Sequence, residues 1–456
     1  MYVDNGKAYE VKITYIGGGS RGWAWNLMSD LAQEQQMSGE VTLYDIDHEA
    51  ARKNVLIGNF YQSNFRYTMS DDLKDSLKGA DFVVISILPG SFDEMESDVH
   101  APEKYGVYQS VGDTTGPGGI LRALRTIPMY AEIAQAIMTV APDAWVINYT
   151  NPMSVCVRSL YEFFPDIKAF GCCHEVFGTQ ELLAYIAQKE WRIERIEREQ
   201  VKVNVQGVNH FTWIDRASYN GRDLMPLYRL YARDYAEEGI QLNQEKNWLN
   251  NHFACSNCVK FDLFNRFDAI AAAGDRHLAE FCPAWYLNSP DTAHSYKFAL
   301  TPVSWRKNNL KKLLEESELK SSGRESVAIT PSGEEGVRQM KALLGLGDFI
   351  TNVNLPNRGQ ISNLEHGAVV ETNALFSQNG VQPLSAGAMR ENIRQLTLTH
   401  VYTQKLLMQA YTKRDFDPAF EAFIMNPLIH LSMRDARKLF DEMVDNTCLL
   451  YTSRCV

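Results

Sequence analysis

The chain has 456 residues, 45% hydrophobic and 22% charged; this is the make-up of an ordinary folded protein of two or three structural units that needs no staples. Its net charge is −11 with no basic block, which argues against nucleic acid as a partner and still permits a locally positive pocket. The first ten residues are polar, no apolar run reaches the length of a membrane span, and the eight cysteines do not read as a disulfide framework, so a cytoplasmic protein without a secretory signal is expected.

The first third of the chain alternates strand-like and helix-like segments. Val11–Ile16 is a β-branched run, residues 23–35 read as a helix, and Glu40–Tyr44 is a second strand closed by Asp45. His48–Phe60 is helical, residues 80–88 form an apolar strand of the fully buried kind, residues 120–140 a long amphipathic helix, and 144–148 another strand. This β-α-β rhythm predicts an α/β fold whose N-terminal part is a Rossmann-type, doubly wound parallel sheet. After a helix over 178–188 the alternation weakens near Trp191. The expected division is therefore residues 1–191 for dinucleotide binding and 192–456 for a mixed α+β unit serving substrate, metal and oligomerisation. In the second unit, residues 192–205 and 206–215 read as strands, the polar stretch 317–336 as a loop or flap, and the chain from Arg390 onward as mostly helical.

Gly17-Gly18-Gly19-Ser20-Arg21-Gly22 follows the first strand and opens a helix. Gly17, Gly19 and Gly22 fit the G-x-G-x-x-G pattern, in which glycines allow a tight turn and a close approach of backbone to pyrophosphate. Ser20 and Arg21 lie in the same loop. Asp45 ends the next strand about 20 residues on, where a carboxylate accepts from ribose hydroxyls and repels a 2′-phosphate. NAD is thus expected in preference to NADP. Asn151, at the carboxyl end of a strand, would face the nicotinamide and substrate crevice.

Four further stretches stand out: Gly112-Asp113-Thr114-Thr115-Gly116-Pro117-Gly118-Gly119 with Arg122, Asn148-Tyr149-Thr150-Asn151-Pro152, Cys173-His174-Glu175-Val176, and Asn209-His210-Phe211. With residues 352–361 and Val369-Val370-Glu371 they resemble, in order and spacing, glycoside hydrolase family 4. The resemblance runs from Val11 to about Leu428. It implies a glycosidase outside the usual two-carboxylate scheme, using NAD and a divalent metal, usually manganese. In the route it implies, hydride leaves C3 of the sugar, a base takes the C2 proton, the C1–O bond eliminates, water adds, and the hydride returns.

The resemblance implies Cys173 and His210 as metal ligands. Gly274-Asp275-Arg276-His277 resembles the segment of members that use an aspartate base, which makes Asp275 the expected C2 base, with Arg276 beside it to bind substrate. Leaving-group protonation falls to His174 or Asp113. The block Cys173-His174-Glu175-Val176 resembles the α-galacturonidase branch and makes Glu175 a substrate contact; His174 departs from the phospho-sugar branches. A uronate needs a cationic or amide partner for its carboxylate, ideally a bidentate arginine, for which Arg276 and Arg306 are candidates. An α-glucosidase or α-galactosidase of the same family and a malate/lactate-type dehydrogenase are the alternatives. Cys255-x-x-Cys258 lacks a second paired half and reads as structural. A homo-oligomer, dimer or tetramer, is expected.

Overall fold

The computed structural model describes residues 1–447. Six strands pair in parallel: Lys7–Ile16, Met37–Tyr44, Phe65–Met69, Phe82–Ile85, Trp145–Asn148 and Lys168–Gly171. Numbered by their place in the chain, they lie across the sheet as third, second, first, fourth, fifth and sixth. That is the order of a doubly wound dinucleotide-binding sheet, with the crevice where the order reverses, beside the first strand. The expected fold class is the one observed.

The apolar run at Phe82–Ile85 shows why this sheet forms. All four residues are buried. Successive side chains leave opposite faces of a strand, so Phe82 and Val84 enter one core with Met28, Leu31 and Ile57, while Val83 and Ile85 enter another with Tyr130, Ile133 and Leu160. A strand covered on both faces needs an unbroken apolar run. The short strands Phe65–Met69 and Lys168–Gly171, which have no such run, were not legible from sequence.

Three antiparallel strands from late in the chain, Phe349–Pro356, Val369–Ser377 and Gly380–Pro383, extend the same sheet. They join it where Asn354 pairs with Gly171. The sheet therefore draws on residues on both sides of position 191. The segment expected as a strand over 192–205 is a turn and a short 3-10 helix until Val201. Val201–Val208 and Phe211–Tyr219 then form a hairpin joined by Asn209 and His210, with Val208 opposite Phe211. The bend thus falls at 209–210 rather than at 205–206. Ile270–Ala271 and Arg222–Asp223 complete this second, antiparallel sheet.

The polar stretch 317–336 divides. Its first part continues the helix Val303–Ser321. The remainder is clasped to the first helix, Trp23–Gln33: Ser29 Oγ donates to the Thr330 carbonyl at 2.7 Å, and Ser332 N donates to Asp30 Oδ1 at 2.9 Å. Helices Glu391–Lys413, Asp417–Met425 and Met433–Thr447 follow. Under them lies a fully buried ion pair, Arg125 to Asp98 at 2.5 and 3.1 Å, which ties the long helix Gly116–Val140 to the helix Phe92–His100. No helix among the described residues is long and apolar enough to cross a membrane.

Candidate functional site

The glycine loop leaves the first strand at Gly17, whose φ is 92°. A Cβ there would stand 1.9 Å from the Ser86 carbonyl oxygen, and one at Gly19 would stand 2.7 Å from Ala50 Cβ. At Gly22 an added Cβ would meet nothing within 4 Å. Asn54 fixes the loop by donating to the carbonyls of Gly18 at 2.7 Å and Ser20 at 3.0 Å. Asp45 Oδ2 accepts from Gly19 N at 2.8 Å and Oδ1 from Asp47 N at 2.9 Å. Arg21 reaches Asp47 at 3.6 Å. No side chain caps the helix that begins at Trp23, and its first turn carries no acidic residue. Its N–H groups and the positive end of its dipole are free for an anion, so these residues fit a dinucleotide pyrophosphate.

Across the crevice, one oxygen of Asp113 and one ring nitrogen each of His210 and His277 lie within 4.8 Å of one another. Three elements bring them together: the loop before Gly116–Val140, the tip of the hairpin, and the helix Asp275–Phe281. His210 has φ 62°, a left-handed conformation uncommon away from glycine and asparagine. Such local strain is found where a side chain must be presented. Thr114 Oγ1 lies 3.1 Å from His210 Nδ1 and donates to Asp113 at 2.7 Å. His277 Nδ1 is buried with no hydrogen-bond partner among the described residues. Burial and the neighbouring His277 push His210 down to about 3, so it is neutral and free to ligate. Against the burial that would raise it, Arg122 and His277 bring Asp113 down to about 2, so it is ionised. An unpaired imidazole nitrogen, a neutral imidazole and a carboxylate fit a divalent metal, and the oxygen donor suits manganese better than thiolate alone.

Cys173 is outside this trio. Its thiol is pushed well up by burial and then by Glu371 and Glu175. Glu175 is the neighbour it shares with the trio: Oε1 lies 3.6 Å from His277 Nε2, while Oε2 accepts from Gly274 N at 2.7 Å. His174, half exposed, holds Glu334 of the clasped loop at 2.7 Å, and this bond raises its pKa to about 9. The two candidate acids thus differ, since His174 carries a proton near neutral pH and Asp113 does not. Asn151 sits at the strand end with its carbonyl accepting from Arg122 Nε at 3.0 Å and its side-chain oxygen buried and unpaired.

Asp275, the base expected from sequence, opens the helix Asp275–Phe281. It has no exposed surface, and its Oδ1 accepts from Lys260 N at 3.1 Å, at the start of the helix Cys258–Phe267. Burial raises it to about 6, which would suit proton transfer. Its Oδ2 is buried with no hydrogen-bond partner among the described residues. Arg276 is likewise committed: it is 6% exposed and donates to the Ser110 carbonyl at 2.8 Å and to Thr301 Oγ1.

Sequence reasoning missed His277, although it lies two places after Asp275 in a segment that drew notice. It also missed Glu280, which is fully buried and accepts from Val111 N and Gly112 N at 2.7 and 2.9 Å, fixing the loop that presents Asp113. Neither has a sequence signal of its own. By contrast Glu371, which bonds Asn209 and Asn352 at 3.1 and 2.6 Å, stands in a motif already noted.

A doubly wound sheet with a glycine loop at its switch point and a cradle of nitrogen and oxygen donors across the crevice defines a dinucleotide-fold protein with a candidate metal site. Residues 12–189 match the family 4 glycosyl hydrolase description and residues 205–429 that family's C-terminal domain. The chain belongs to family 4 of the glycosyl hydrolases. This is a glycosidase family, which sets aside the dehydrogenase alternative. The chain is 58% identical over 454 residues to an alpha-galacturonidase of Thermoanaerobacterium saccharolyticum, covering 98% of each chain. It is 51% identical to an alpha-galacturonidase of Bacillus subtilis, covering 95% of this chain and 97% of the relative. A 6-phospho-alpha-glucosidase from gut microorganisms, solved in complex with NAD and Mn2+, shares the fold at a TM-score of 0.77 and 21% identity, covering 96% of this chain and 98% of that one.

Proposed function

We propose that this enzyme releases galacturonate from α-galacturonides, using NAD and a divalent metal, manganese by the donor set. The observation that carries this reading is likeness over nearly the whole chain, 51–58% identical, to four enzymes named alpha-galacturonidase, against 28% to an alpha-galactosidase. The six cysteines of the described residues are all free, which fits the reducing compartment, the cytoplasm, in which we expect it to act.

The glycine loop, the uncapped helix start and Asp45 would hold NAD. His210, His277 and Asp113 would hold the metal, with Cys173 bordering them. When bound, NAD would supply a reversible hydride acceptor and the metal a Lewis acid for the sugar oxygens. The chain's own residues orient the sugar and move two protons. Asn151, with an unpaired amide oxygen at the strand end, orients the glycone hydroxyls. Glu175, the ionised carboxylate beside the cradle, is our assignment for accepting the C2 proton. His174, paired to Glu334 at the rim, is our assignment for giving a proton to the leaving oxygen. The clasped loop 322–335 borders this space through Glu334, which pairs with His174.

The test is a panel of nitrophenyl α-galacturonide, α-galactoside and α-glucoside, assayed with NAD, Mn2+ and a thiol reductant. The galacturonide should have the highest kcat/KM, by about a hundredfold or more. A faster glucoside or galactoside would overturn the substrate assignment.

A further inference from the structure

Three arginines cluster here: Arg122 and Arg306 act on the Asp113 carboxylate, and Arg306 is in turn a neighbour of Arg276. Two of the three are spoken for. Arg122 is buried with Nε on the Asn151 carbonyl at 3.0 Å. Arg276 is buried with Nη2 on the Ser110 carbonyl at 2.8 Å. Both act as struts holding backbone, which explains why each is almost closed to solvent.

Arg306 differs. It is partly exposed, and among the described residues it makes no ion pair or hydrogen bond. Its guanidinium lies 5.7 Å from the centre of the Phe253 ring, and Arg276 approaches the same ring at 5.0 Å. Trp305 packs edge-on against that ring at 5.0 Å. The position is fixed from behind. Arg306 lies in the first turn of the helix Val303–Ser321, and Thr301, just before that helix, donates its N–H to the Ser110 carbonyl at 3.3 Å and its hydroxyl accepts from Arg276. The helix start is therefore stapled to the loop that runs on from Ser110 to Asp113. A partly exposed guanidinium beside apolar rings, with no ion pair or hydrogen bond of its own among the described residues and the Asp113 charge nearby, is suited to a carboxylate that arrives with the ligand. Its planar fork matches a carboxylate in two parallel bonds, and the rings lower the local dielectric and offer apolar faces for the sugar's C–H edges.

We propose that Arg306 binds the C6 carboxylate of the glycone and is the residue that selects uronides over neutral sugars, with Phe253 and Trp305 as its apolar support. This rests on the galacturonidase reading above. It excludes Arg276, the sequence-adjacent candidate, because that side chain is already committed to backbone. A neutral CH2OH in the same place would leave the cation with no partner, and a desolvated unpaired charge is costly.

The experiment compares wild type, Arg306→Gln and Arg306→Lys, each checked by thermal unfolding, on the nitrophenyl α-galacturonide and α-galactoside with NAD and Mn2+. Arg306→Gln should lower the galacturonide-to-galactoside ratio of kcat/KM by about a hundredfold, chiefly through KM. Arg306→Lys, a point charge without the fork, should fall between the two. Calorimetric binding of free galacturonate should weaken in the same order. If wild type prefers the galacturonide and Arg306→Gln keeps that preference, this assignment is wrong and the galacturonidase reading stands. If wild type prefers the galactoside, both are wrong. If Arg306→Gln unfolds early, Arg306→Lys decides: an unchanged ratio there contradicts the proposal.

Discussion

The imidazoles of His210 and His277 lie with ring centres 3.9 Å apart and planes 37° from each other. One sits on the tip of a hairpin and the other in the first turn of a helix 67 residues later in sequence, so nothing local brings them together. Burial holds both rings neutral, and His277 lowers His210 further. Two neutral imidazoles facing the same carboxylate are a metal cradle waiting for a cation, and a proton on either would compete with it.

From this follows the first prediction, on metal affinity. His277→Ala and His210→Ala should each weaken Mn2+ binding by at least tenfold, read from free Mn2+ by electron paramagnetic resonance, with NAD binding retained. Cys173→Ser, outside the trio, should weaken it less than either. A full loss in Cys173→Ser with no loss in His277→Ala would return the ligand set to the pair expected from sequence.

Asp275 provides the second. As a residue that holds the start of the helix Cys258–Phe267 through Oδ1, it can be replaced by asparagine with the same acceptor oxygen kept. Asp275→Asn should retain turnover within about tenfold, whereas loss of a general base costs about a hundredfold or more. Glu175→Gln and Asp113→Asn should show the larger loss. A collapse of C2 proton exchange in Asp275→Asn alone, with an unchanged melting temperature, would restore Asp275 as the base.

Stability should depend on pH through His400. Its Nε2 lies 2.9 Å from the Phe281 carbonyl and its Nδ1 3.3 Å from Thr115 Oγ1, so the neutral ring is satisfied on both sides. Burial lowers its pKa to about 4 from an ordinary 6.5. The unfolded chain takes up this proton first, so the contribution is whole above pH 6.5 and is lost as pH falls toward 4. The loss is at most on the order of 3 kcal/mol. Between pH 7 and pH 4, denaturant unfolding of His400→Gln should fall by less than wild type. Parallel curves would remove His400 from the account.

Much of this molecule was legible in its sequence, for identifiable reasons. The glycine loop and Asp45 could be placed because a loop between a strand and a helix has local steric rules. The apolar strand at Phe82–Ile85 could be placed because it serves two cores at once. What escaped was set by contacts distant in the chain. Asn354 pairing with Gly171 carries late strands into the first sheet. The same local reading that noticed Asp275 passed over His277, because only the fold sets His277 beside Asp113 and His210. Arg276 and Arg306 look alike in sequence; they differ in that one is bonded to the Ser110 carbonyl and the other to nothing in the described chain.

The central claim is that the glycosidic bond breaks after a proton leaves C2 of a galacturonide. Turnover of nitrophenyl α-galacturonide in heavy water, with NAD and Mn2+, puts this to a direct measurement by mass spectrometry and proton NMR of the released sugar. The account predicts galacturonate carrying deuterium at C2, with none incorporated when NAD is withheld and turnover ceases. Galacturonate released at full rate with ordinary hydrogen at C2 would contradict it.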